Sequence, residues 1–402
     1  MFKKLGRRFA STAAAAAVIS TAAWAPQSAV AGPILDNIKS KGAIRCAVNT
    51  GLQGFSAPDS KGVWTGIDAE YCKALAAAIL GDANKVEFVP SNTQNRFTLL
   101  QSGEVDILSR NTTWTSSRDA TLGGVFIGTI FYDGQGFMVR KDLNLKSAKE
   151  LDGATVCVQP GTTTEQNLSD YFRAQKMTFK PVVINDLAGV QQAFFGGRCD
   201  VFTTDISGLA STRQKADKPD DYVILPEAIS KEPLGPMIRR GDWEYFTIAK
   251  WVLFGLIEAE EMGVTAANVD KMKAESKDPK VQRIVGTSGD VGKSLGLDND
   301  WLVRAIKAVG NYGELYQRNI GPIGIPRGVN ELWTKGGSSG HYLAVKEIET
   351  DCDNDTLLIR ADSLGPGVCH NGYRSCFYRR LTDGAWQESE KPTYDPKAVY
   401  QK

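Results

Sequence analysis

Hydrophobic residues along the chain follow two spacings, and two stretches repeat the same order of predicted elements. Ile67, Tyr71 and Leu75 recur at four-residue intervals, which predicts a helix. Short apolar runs between the helices predict strands. The predicted strands are 44–49, 86–90 and 105–109 in the first stretch and 154–159, 181–184 and 199–203 in the second; the predicted helices are 67–79, 93–102, one that starts at 162, and 187–196. Strands that alternate with helices predict two α/β lobes with parallel sheets.

The chain is predicted to cross between these lobes twice, at residues 132–140 and again at 229–236. Two crossings form a hinge rather than a tether. A strongly apolar helix is predicted over 246–261, with further helices up to about residue 316. Ligands of open α/β sheets bind beyond the carboxyl ends of the strands, so we expect a ligand site in the cleft between the lobes.

The first 31 residues have the pattern of an export signal. Four basic residues are followed by an apolar, alanine-rich run over 9–24, and the small residues Ala29 and Ala31 suit signal peptidase. The alternative is a membrane anchor, but the run is shorter than the ~20 residues that span a bilayer well. We therefore expect cleavage before Gly32 and a soluble mature protein in the periplasm.

Four of the seven cysteines fall in the predicted lobes, where an oxidising compartment would favour disulfides. They allow three pairings. We expect Cys46 to pair with Cys72 and Cys157 with Cys199, because each pair then stays within one half of the fold. Four buried free thiols are the alternative.

The charge balance restricts the class of partner. Lysine and arginine number 47 against 46 acidic residues, a formal net charge of +1. No basic cluster follows the first residues, so we expect no nucleic-acid partner. A small neutral or zwitterionic ligand fits this balance better than a polyanion.

Six motifs resemble those of periplasmic solute-binding proteins that serve polar-amino-acid ABC transporters, above all the general L-amino-acid type. The motifs are 46–56 (CAVNTGLQGFS), 64–68 (WTGID), 108–115 (LSRNTTWT), 132–137 (YDGQGF), 161–165 (GTTTE) and 310–314 (GNYGE). The resemblance covers residues 38 to about 337. It implies the two-lobed type II periplasmic-binding-protein fold of the α/β class, free L-amino acids as ligands, no cofactor, and a membrane permease as partner.

The resemblance also divides the chain. Residues 1–31 are the signal peptide, 32–137 and 236–337 form lobe 1, and 138–235 form lobe 2. Residues 338–402 are a further C-terminal segment. The 32–337 region contains no histidine and no unexplained isolated carboxylate, so binding is expected rather than catalysis, and we predict no catalytic residue.

The two poles of an amino acid need a fixed cation and a fixed anion, because an unpaired buried charge is costly. Arg118 follows a threonine-rich strand end, and its planar guanidinium can bind a carboxylate through two hydrogen bonds. The resemblance places this arginine on the ligand carboxylate and Asp205 on the α-ammonium. The alternatives are a surface arginine that caps a helix together with Asp119, and an aspartate that serves as a helix N-cap.

Neutral groups are expected to complete the site. Thr162 and Thr163 open a helix whose free N–H groups favour a carboxylate, although Thr162 and Glu165 can also form a capping box. The resemblance implies that an aromatic at Phe55 covers the ligand side chain, whereas the alternative is an ordinary core aromatic. The lobe 1 strand end supplies neutral donors and acceptors from Asn111, Thr112 and Thr113. Phe55 has no hydroxyl, and Arg110 stands where smaller residues are common in relatives.

Residues after 337 resemble the C-terminal half of phosphoribosyl-AMP cyclohydrolase. The resemblance rests on 332–336 (LWTKG), 338–341 (SSGH), 351–355 (DCDND) and 369–378 (CHNGYRSCFY). If this segment functions, the resemblance implies zinc bound by Cys352, Cys369 and Cys376 and magnesium bound by Asp351, Asp353 and Asp355, a set that could open a purine ring. The enzyme's N-terminal half has no counterpart in the chain, so we expect a partial α+β segment without an active site.

Overall fold

The computed structural model describes residues 32–339 and, by their backbone alone, four strands between residues 345 and 388. The predicted signal peptide lies outside the described residues. No helix of the described part is long and apolar enough to cross a membrane.

The chain from residue 32 to 126 forms most of lobe 1. Its helices are α1 (Pro33–Lys41), α2 (Ile67–Leu80), α3 (Arg96–Ser102) and α4 (Ser116–Thr121), and its strands are β1 (Ile44–Asn49), β2 (Ala57–Pro58), β3 (Trp64–Thr65), β4 (Val86–Ser91), β5 (Ile107–Leu108) and β6 (Gly124–Phe126). The four-residue repeat that predicts α2 is buried, with Ile67, Tyr71 and Leu75 all fully hidden from solvent. The helix ends at Gly81, whose φ of 74° is the left-handed conformation that glycine adopts without strain.

The next part of the chain crosses the hinge and builds lobe 2. Its elements are β7 (Phe131–Asp133), β8 (Gln135–Arg140), β9 (Thr155–Val158), α5 (Thr163–Ala174), β10 (Lys180–Val183), α6 (Leu187–Phe195), β11 (Val201–Asp205), α7 (Ile206–Arg213) and β12 (Tyr222–Ile224). Its sheet has the order β10-β9-β11-β8-β12. The three neighbouring strands β10, β9 and β11 are parallel, whereas β8 and β12 run antiparallel to their neighbours.

The chain then returns to lobe 1. It forms β13 (Glu232–Leu234), β14 (Met237–Arg239), α8 (Trp243–Glu261), α9 (Val269–Glu275), α10 (Pro279–Ile284), α11 (Val291–Ser294), α12 (Trp301–Val309) and α13 (Tyr312–Asn319). The lobe 1 sheet has the order β4-β1-β5-β14-β6, and β14 enters it antiparallel to β5 and β6. The α/β fold class is thus confirmed, although each sheet also contains antiparallel strands at one side.

The two crossings lie side by side as the antiparallel pair β7 and β13, with Asp133 opposite Glu232. Because β8 begins at Gln135 and pairs within the second sheet, that sheet begins three residues before the predicted start of lobe 2 at residue 138. The strands described after residue 339 are β15 (Val345–Asp351), β16 (Thr356–Ala361), β17 (Ser375–Arg380) and β18 (Trp386–Glu388), which pair antiparallel in chain order.

Both predicted disulfides are confirmed. Cys46 of β1 is bonded to Cys72 of α2 in lobe 1, and Cys157 of β9 is bonded to Cys199 in lobe 2. The bonds close segments with sequence separations of 26 and 42 residues. The first bond ties strand β1 to helix α2, and the second ties β9 to the turn that precedes its neighbouring strand β11.

Replacing Cys157 and Cys199 together with alanine is expected to lower the free energy of unfolding by about 3–4 kcal/mol, because the open chain regains the conformational freedom that the loop removes. Urea denaturation of oxidised protein measures the difference. The matched control is the same comparison under a reductant, where wild type and variant should have the same urea midpoint. An unchanged midpoint in oxidised protein would contradict the prediction.

Candidate ligand-binding site

A cavity lies between the lobes, where strands of both sheets end. Its lining residues are Asn49, Thr93, Arg96, Arg110, Asn111 and Thr113 from lobe 1, and Gln159, Thr162, Thr163, Thr164, Thr204 and Asp205 from lobe 2. Only about 30 Å³ of it is open to the centre of a water molecule. Larger hollows of about 270–460 Å³ exist on the surface, but none of the three lies between the lobes. The small interlobe volume shows that the lobes are close together in this structure.

Five of the eight ligand residues predicted from the sequence line this cavity: Asn111, Thr113, Thr162, Thr163 and Asp205. Two pairs of side chains already form hydrogen bonds across the cleft. Asn111 Nδ2 lies 3.4 Å from Asp205 Oδ2, and the hydroxyls of Thr113 and Thr163 lie 3.3 Å apart. Most of the ligand residues that were predicted at strand ends and helix starts therefore lie in one place.

Asp205 ends β11 and is 6% exposed. It precedes α7, yet its side chain makes no capping hydrogen bond, so the alternative role as an N-cap is not what the structure shows. Burial raises the pKa of this carboxyl well above its usual range, and the nearby carboxylates of Asp133 and Glu232 raise it further. A cation in the cavity would relieve this cost.

Arg118 in α4 does not line the cavity but lies directly behind Thr113. Its Nη1 donates to the carbonyl oxygen of Thr113 at 2.7 Å, and the guanidinium lies 5.2 Å from the centre of the Phe97 ring. Burial lowers the pKa of Arg118, an effect opposed by the carboxylates of Glu232 and Asp205. The cap of α4 is Thr115, so the alternative of a surface arginine that caps this helix does not hold.

Thr162 caps the helix that begins at Thr163, but Glu165 bonds to the residue before the cap, so the full capping box is not formed. Thr162 Oγ1 accepts from the N–H of Glu165 at 3.0 Å, and Glu165 Oε2 accepts from the N–H of Gly161 at 2.9 Å. The Thr163 side chain instead points toward the hinge, where its hydroxyl donates to Glu232 Oε2 at 2.9 Å. Both threonines line the cavity, but only Thr162 caps the helix, whereas Thr163 bonds to the hinge.

Two predicted residues are buried elsewhere. Phe55 is fully buried and packs edge-on against Phe131 with ring centres 5.3 Å apart, so the interpretation as a core aromatic fits the structure and the side chain does not reach the cavity. Thr112 is also fully buried, and its hydroxyl donates to the carbonyl oxygen of Arg110 at 2.9 Å. It accepts from Arg96 Nη1 at 3.4 Å and therefore positions an arginine rather than lining the site.

Glu232 in the hinge strand β13 is a site residue that the sequence does not single out. Its carboxylate is 1% exposed and accepts hydrogen bonds from both lobes. The donors are Thr113 Oγ1 at 2.6 Å, Thr163 Oγ1 at 2.9 Å, Asn167 Nδ2 at 2.8 Å and Ser230 Oγ at 2.5 Å. One acceptor on the hinge thus joins a strand end of lobe 1 to a helix start of lobe 2.

Arg96 and Arg110 are two charged lining residues that the site prediction missed. Arg96 is 3% exposed, and Arg110 is 2% exposed with its Nε donating to the Ser91 carbonyl at 3.0 Å. Burial lowers the pKa of Arg110 to about 10, although the carboxylates of Asp68 and Asp205 act to raise it. Arg110 carried a signal in the sequence, since the family resemblance leads one to expect a smaller residue at this position.

No cluster of histidine, cysteine and acidic side chains that could hold a metal ion occurs among the described residues. The predicted ligands Cys352, Cys369, Asp353 and Asp355 lie outside them. Asp351 and Cys376 fall in β15 and β17, which are described by backbone alone. The zinc and magnesium predictions therefore remain predictions.

Two α/β lobes joined by paired hinge strands, with a polar cavity between them, define the class of binding proteins that close on a small solute. The chain belongs to the bacterial extracellular solute-binding proteins, family 3, whose model matches residues 44–322. It is 54% identical over 332 residues to the general L-amino acid-binding periplasmic protein AapJ of Rhizobium johnstonii, covering 81% of this chain and 96% of the relative. It is 53% identical over 312 residues to the glutamate/glutamine/aspartate/asparagine-binding protein BztA of Rhodobacter capsulatus, covering 77% and 92%.

A solved structure has the same fold. The ABC transporter periplasmic binding protein from Brucella ovis with glutathione bound superposes with a TM-score of 0.74 at 52% identity, over 75% of this chain and 96% of that one. The family and fold expected from the motifs are confirmed.

A second family model, phosphoribosyl-AMP cyclohydrolase, matches residues 326–378. The chain is 60% identical over 74 residues to that enzyme from Solibacter usitatus, which is 18% of this chain and 59% of the enzyme. The resemblance of the C-terminal segment is therefore confirmed, and it spans about three fifths of the enzyme's length.

Proposed function

We propose that this chain binds a free L-amino acid in the cleft between its lobes and delivers it to the membrane permease of an ABC transporter. The observation that carries the proposal is the cavity at the strand ends, which is lined by Asp205 of lobe 2 and by arginines of lobe 1, with Arg118 bonded to the carbonyl of the lining residue Thr113. A zwitterion supplies the opposite charge to each. The names of the two relatives, which bind amino acids, support the same ligand class.

The α-ammonium is assigned to Asp205. Its carboxylate has one hydrogen-bond donor among the described side chains, Asn111 at 3.4 Å, which leaves acceptor capacity for an N–H donor of the ligand. Ionic pairing with an ammonium would also favour the charged form that burial now opposes.

The α-carboxylate is assigned to Arg118 together with the start of α5. The backbone N–H groups at a helix N-terminus attract anions, and Thr163 and Thr164 line the cavity at this point. Arg118 is now balanced mainly by Glu232, whose carboxylate accepts hydrogen bonds from the hydroxyls of Thr113 and Thr163. A ligand carboxylate would compete with Glu232 for these donors.

Isothermal titration calorimetry of the mature chain, residues 32–402, against the twenty L-amino acids tests the proposal. Saturable binding with a stoichiometry of one is expected for several of them. The D-enantiomers serve as a control, because they cannot present both poles and the side chain in the same geometry. Absence of heat and of thermal stabilisation with every L-amino acid would overturn the proposal.

The proposed location is the periplasm, reached through the signal at residues 1–31. The basic start, the apolar run and the Ala29–Ala31 site support it, and two of the relatives are named as periplasmic proteins. Expression of the whole chain in a Gram-negative host, followed by mass spectrometry of a periplasmic extract, should find a protein that begins at Gly32.

The match at residues 326–378 supports a second candidate function, ring opening of phosphoribosyl-AMP. We rank it below binding, since the chain covers 59% of the enzyme and the enzyme's N-terminal half has no counterpart. This activity is tested by measuring the zinc content of the purified protein and its turnover of phosphoribosyl-AMP. Metal-dependent turnover would establish the activity, and absence of turnover would leave residues 340–402 without an enzymatic activity.

A further inference from the structure

We infer that Glu232 and Asn167 form a latch that holds helix α5 against the hinge strand β13 while the lobes are together, and that this latch slows the release of a bound amino acid. Neither side chain lines the cavity, so the role is one of positioning rather than of ligand contact. The inference rests on the proposed amino-acid site and adds to it two residues that set how long the closed complex lasts.

Glu232 is held to lobe 1 although it lies in the hinge. The N–H of Trp114 donates to the carbonyl oxygen of Pro233 at 2.8 Å, and Thr113 forms a bridge with Leu234. Thr113 Oγ1 also donates to Glu232 Oε2 at 2.6 Å. The carboxylate therefore moves with the strand end of lobe 1 that lines the cavity.

Two donors reach the same carboxylate from lobe 2. Asn167 Nδ2 donates to Glu232 Oε1 at 2.8 Å, and Thr163 Oγ1 donates to Glu232 Oε2 at 2.9 Å. The donors are four residues apart, so they lie on the same face of α5, and each binds a different oxygen. Hydrogen bonds of this kind extend to only about 3.2 Å, so a rotation that moves α5 away from β13 by more than about 0.5 Å breaks both.

Other contacts between the lobes are longer or more exposed. Asn111 Nδ2 and Asp205 Oδ2 are 3.4 Å apart, at the weak end of the range for a hydrogen bond. Lys215 Nζ donates to the carbonyl oxygen of Gly51 at 2.8 Å, but this bond lies on the exposed surface, where water competes for both groups. A short hydrogen bond to a buried carboxylate contributes more than either, so we expect the bonds of Glu232 to α5 to matter most.

The charges around Glu232 make its donors more important. Its carboxylate is 1% exposed and lies opposite Asp133 in the paired hinge strands. Burial raises the pKa of Asp133 to about 6, and the Glu232 carboxylate adds to this rise. Arg118 is the nearby cation, and the Glu232 carboxylate acts to raise its pKa. A buried anion beside a second carboxylate depends on its hydrogen-bond donors for stabilisation.

The latch should act on release rather than on capture. Thr163 and Thr164 at the start of α5 line the cavity, so the latch fixes this helix start relative to the lobe 1 side of the site. An amino acid enters while the lobes are apart, before the latch bonds form, and leaves after they break. Loss of the latch should therefore raise the dissociation rate and leave the association rate nearly unchanged.

Asn167→Asp is the sharpest test, because the side chain keeps its shape while a second carboxylate replaces the donor beside Glu232. L-glutamate and L-glutamine should leave the mature chain, residues 32–402, about 10- to 150-fold faster than wild type, the range for a lost charge-assisted hydrogen bond. Their association rates should stay within about 3-fold of wild type. Displacement of the radiolabelled amino acid by an unlabelled excess measures dissociation, and stopped-flow mixing measures association.

Glu232→Gln distinguishes a specific pair from a general loss of structure. In that variant the new amide can donate to a carboxylate at position 167, so adding Asn167→Asp should slow release instead of accelerating it. Gln166→Ala is the matched control, because Gln166 is the exposed neighbour of Asn167 on α5, and it should leave both rates unchanged. Should Glu232→Gln fail to fold, as judged by circular dichroism, Asn167→Asp in the wild-type chain still decides.

The inference is overturned if Asn167→Asp releases both amino acids at the wild-type rate, or if it accelerates release equally in the wild-type chain and in Glu232→Gln. If neither amino acid binds wild type, small-angle X-ray scattering without added amino acid decides. Asn167→Asp should then have a larger radius of gyration than wild type, and equal radii would contradict the latch. Failure of all twenty L-amino acids in calorimetry is a separate outcome, which overturns the proposed function.

Discussion

Asp205→Asn is expected to weaken amino-acid binding by about 10- to 150-fold without lowering the stability of the ligand-free protein. The amide keeps the shape of the carboxylate but cannot pair with an ammonium as an anion. In the ligand-free chain the ionised carboxyl is unfavourable, because burial and the neighbouring Asp133 and Glu232 raise its pKa. A raised carboxyl pKa stabilises the fold at low pH, and this stabilisation is lost as the pH rises through the folded-state pKa. The amide removes that loss, so at pH 7 the variant should unfold at the same or a higher urea concentration.

Asp200→Asn provides the opposite pattern as a control. Asp200 lies in the same lobe but accepts from the N–H and hydroxyl of Thr155, hydrogen bonds that hold its pKa below the usual range. Its amide variant should bind normally and unfold more easily. Calorimetry and urea denaturation of both variants separate binding from folding, and unchanged affinity in Asp205→Asn would remove Asp205 from the site.

Arg118→Ala is expected to weaken binding by about 150-fold or more, since a carboxylate loses two charge-assisted hydrogen bonds at once. Unlike the change at Asp205, it should also lower the free energy of unfolding by about 1–3 kcal/mol, because the Thr113 carbonyl loses a donor and buried Glu232 loses its main cation. Arg118→Lys keeps the charge without the planar fork and should fall between alanine and wild type.

Arg173→Ala is the control for this series. Arg173 also lies on a helix, but its side chain is 78% exposed and pairs only with Asp170 at the surface. It should leave both affinity and stability unchanged, as most exposed ion pairs contribute little. Circular dichroism establishes that Arg118→Ala is folded, and calorimetric affinity within about 3-fold of wild type would exclude Arg118 from the site.

The fold could be predicted because its signals are local. The four-residue repeat of Ile67, Tyr71 and Leu75 is enough to define α2, and the ends of the strands are enough to locate the cleft. The same argument located Asp205, which follows a short apolar strand directly. The strands that lie antiparallel in each sheet were missed, since their direction is set by crossings between the lobes rather than by their own residues.

The missed site residues depend on contacts between distant parts of the chain. Arg96 lies in a helix where an arginine is usually exposed, but it is buried and donates to Thr112 Oγ1, 16 residues further along the chain. Glu232 is one charged residue in a hinge segment, and three of its four donors come from positions at least 65 residues away. The sequence allowed Phe55 to be either a ligand contact or a core aromatic. Its packing against Phe131, which the sequence does not reveal, favours the core role.

The placement of the disulfides affects how the protein moves. One bond lies wholly in lobe 1 and the other wholly in lobe 2, and neither includes a residue of β7 or β13. Oxidation therefore stiffens each half as a separate rigid body and leaves the rotation between the halves unrestrained. The rate at which the two lobes separate to release a bound ligand should accordingly be the same in oxidised and reduced protein, as long as both remain folded.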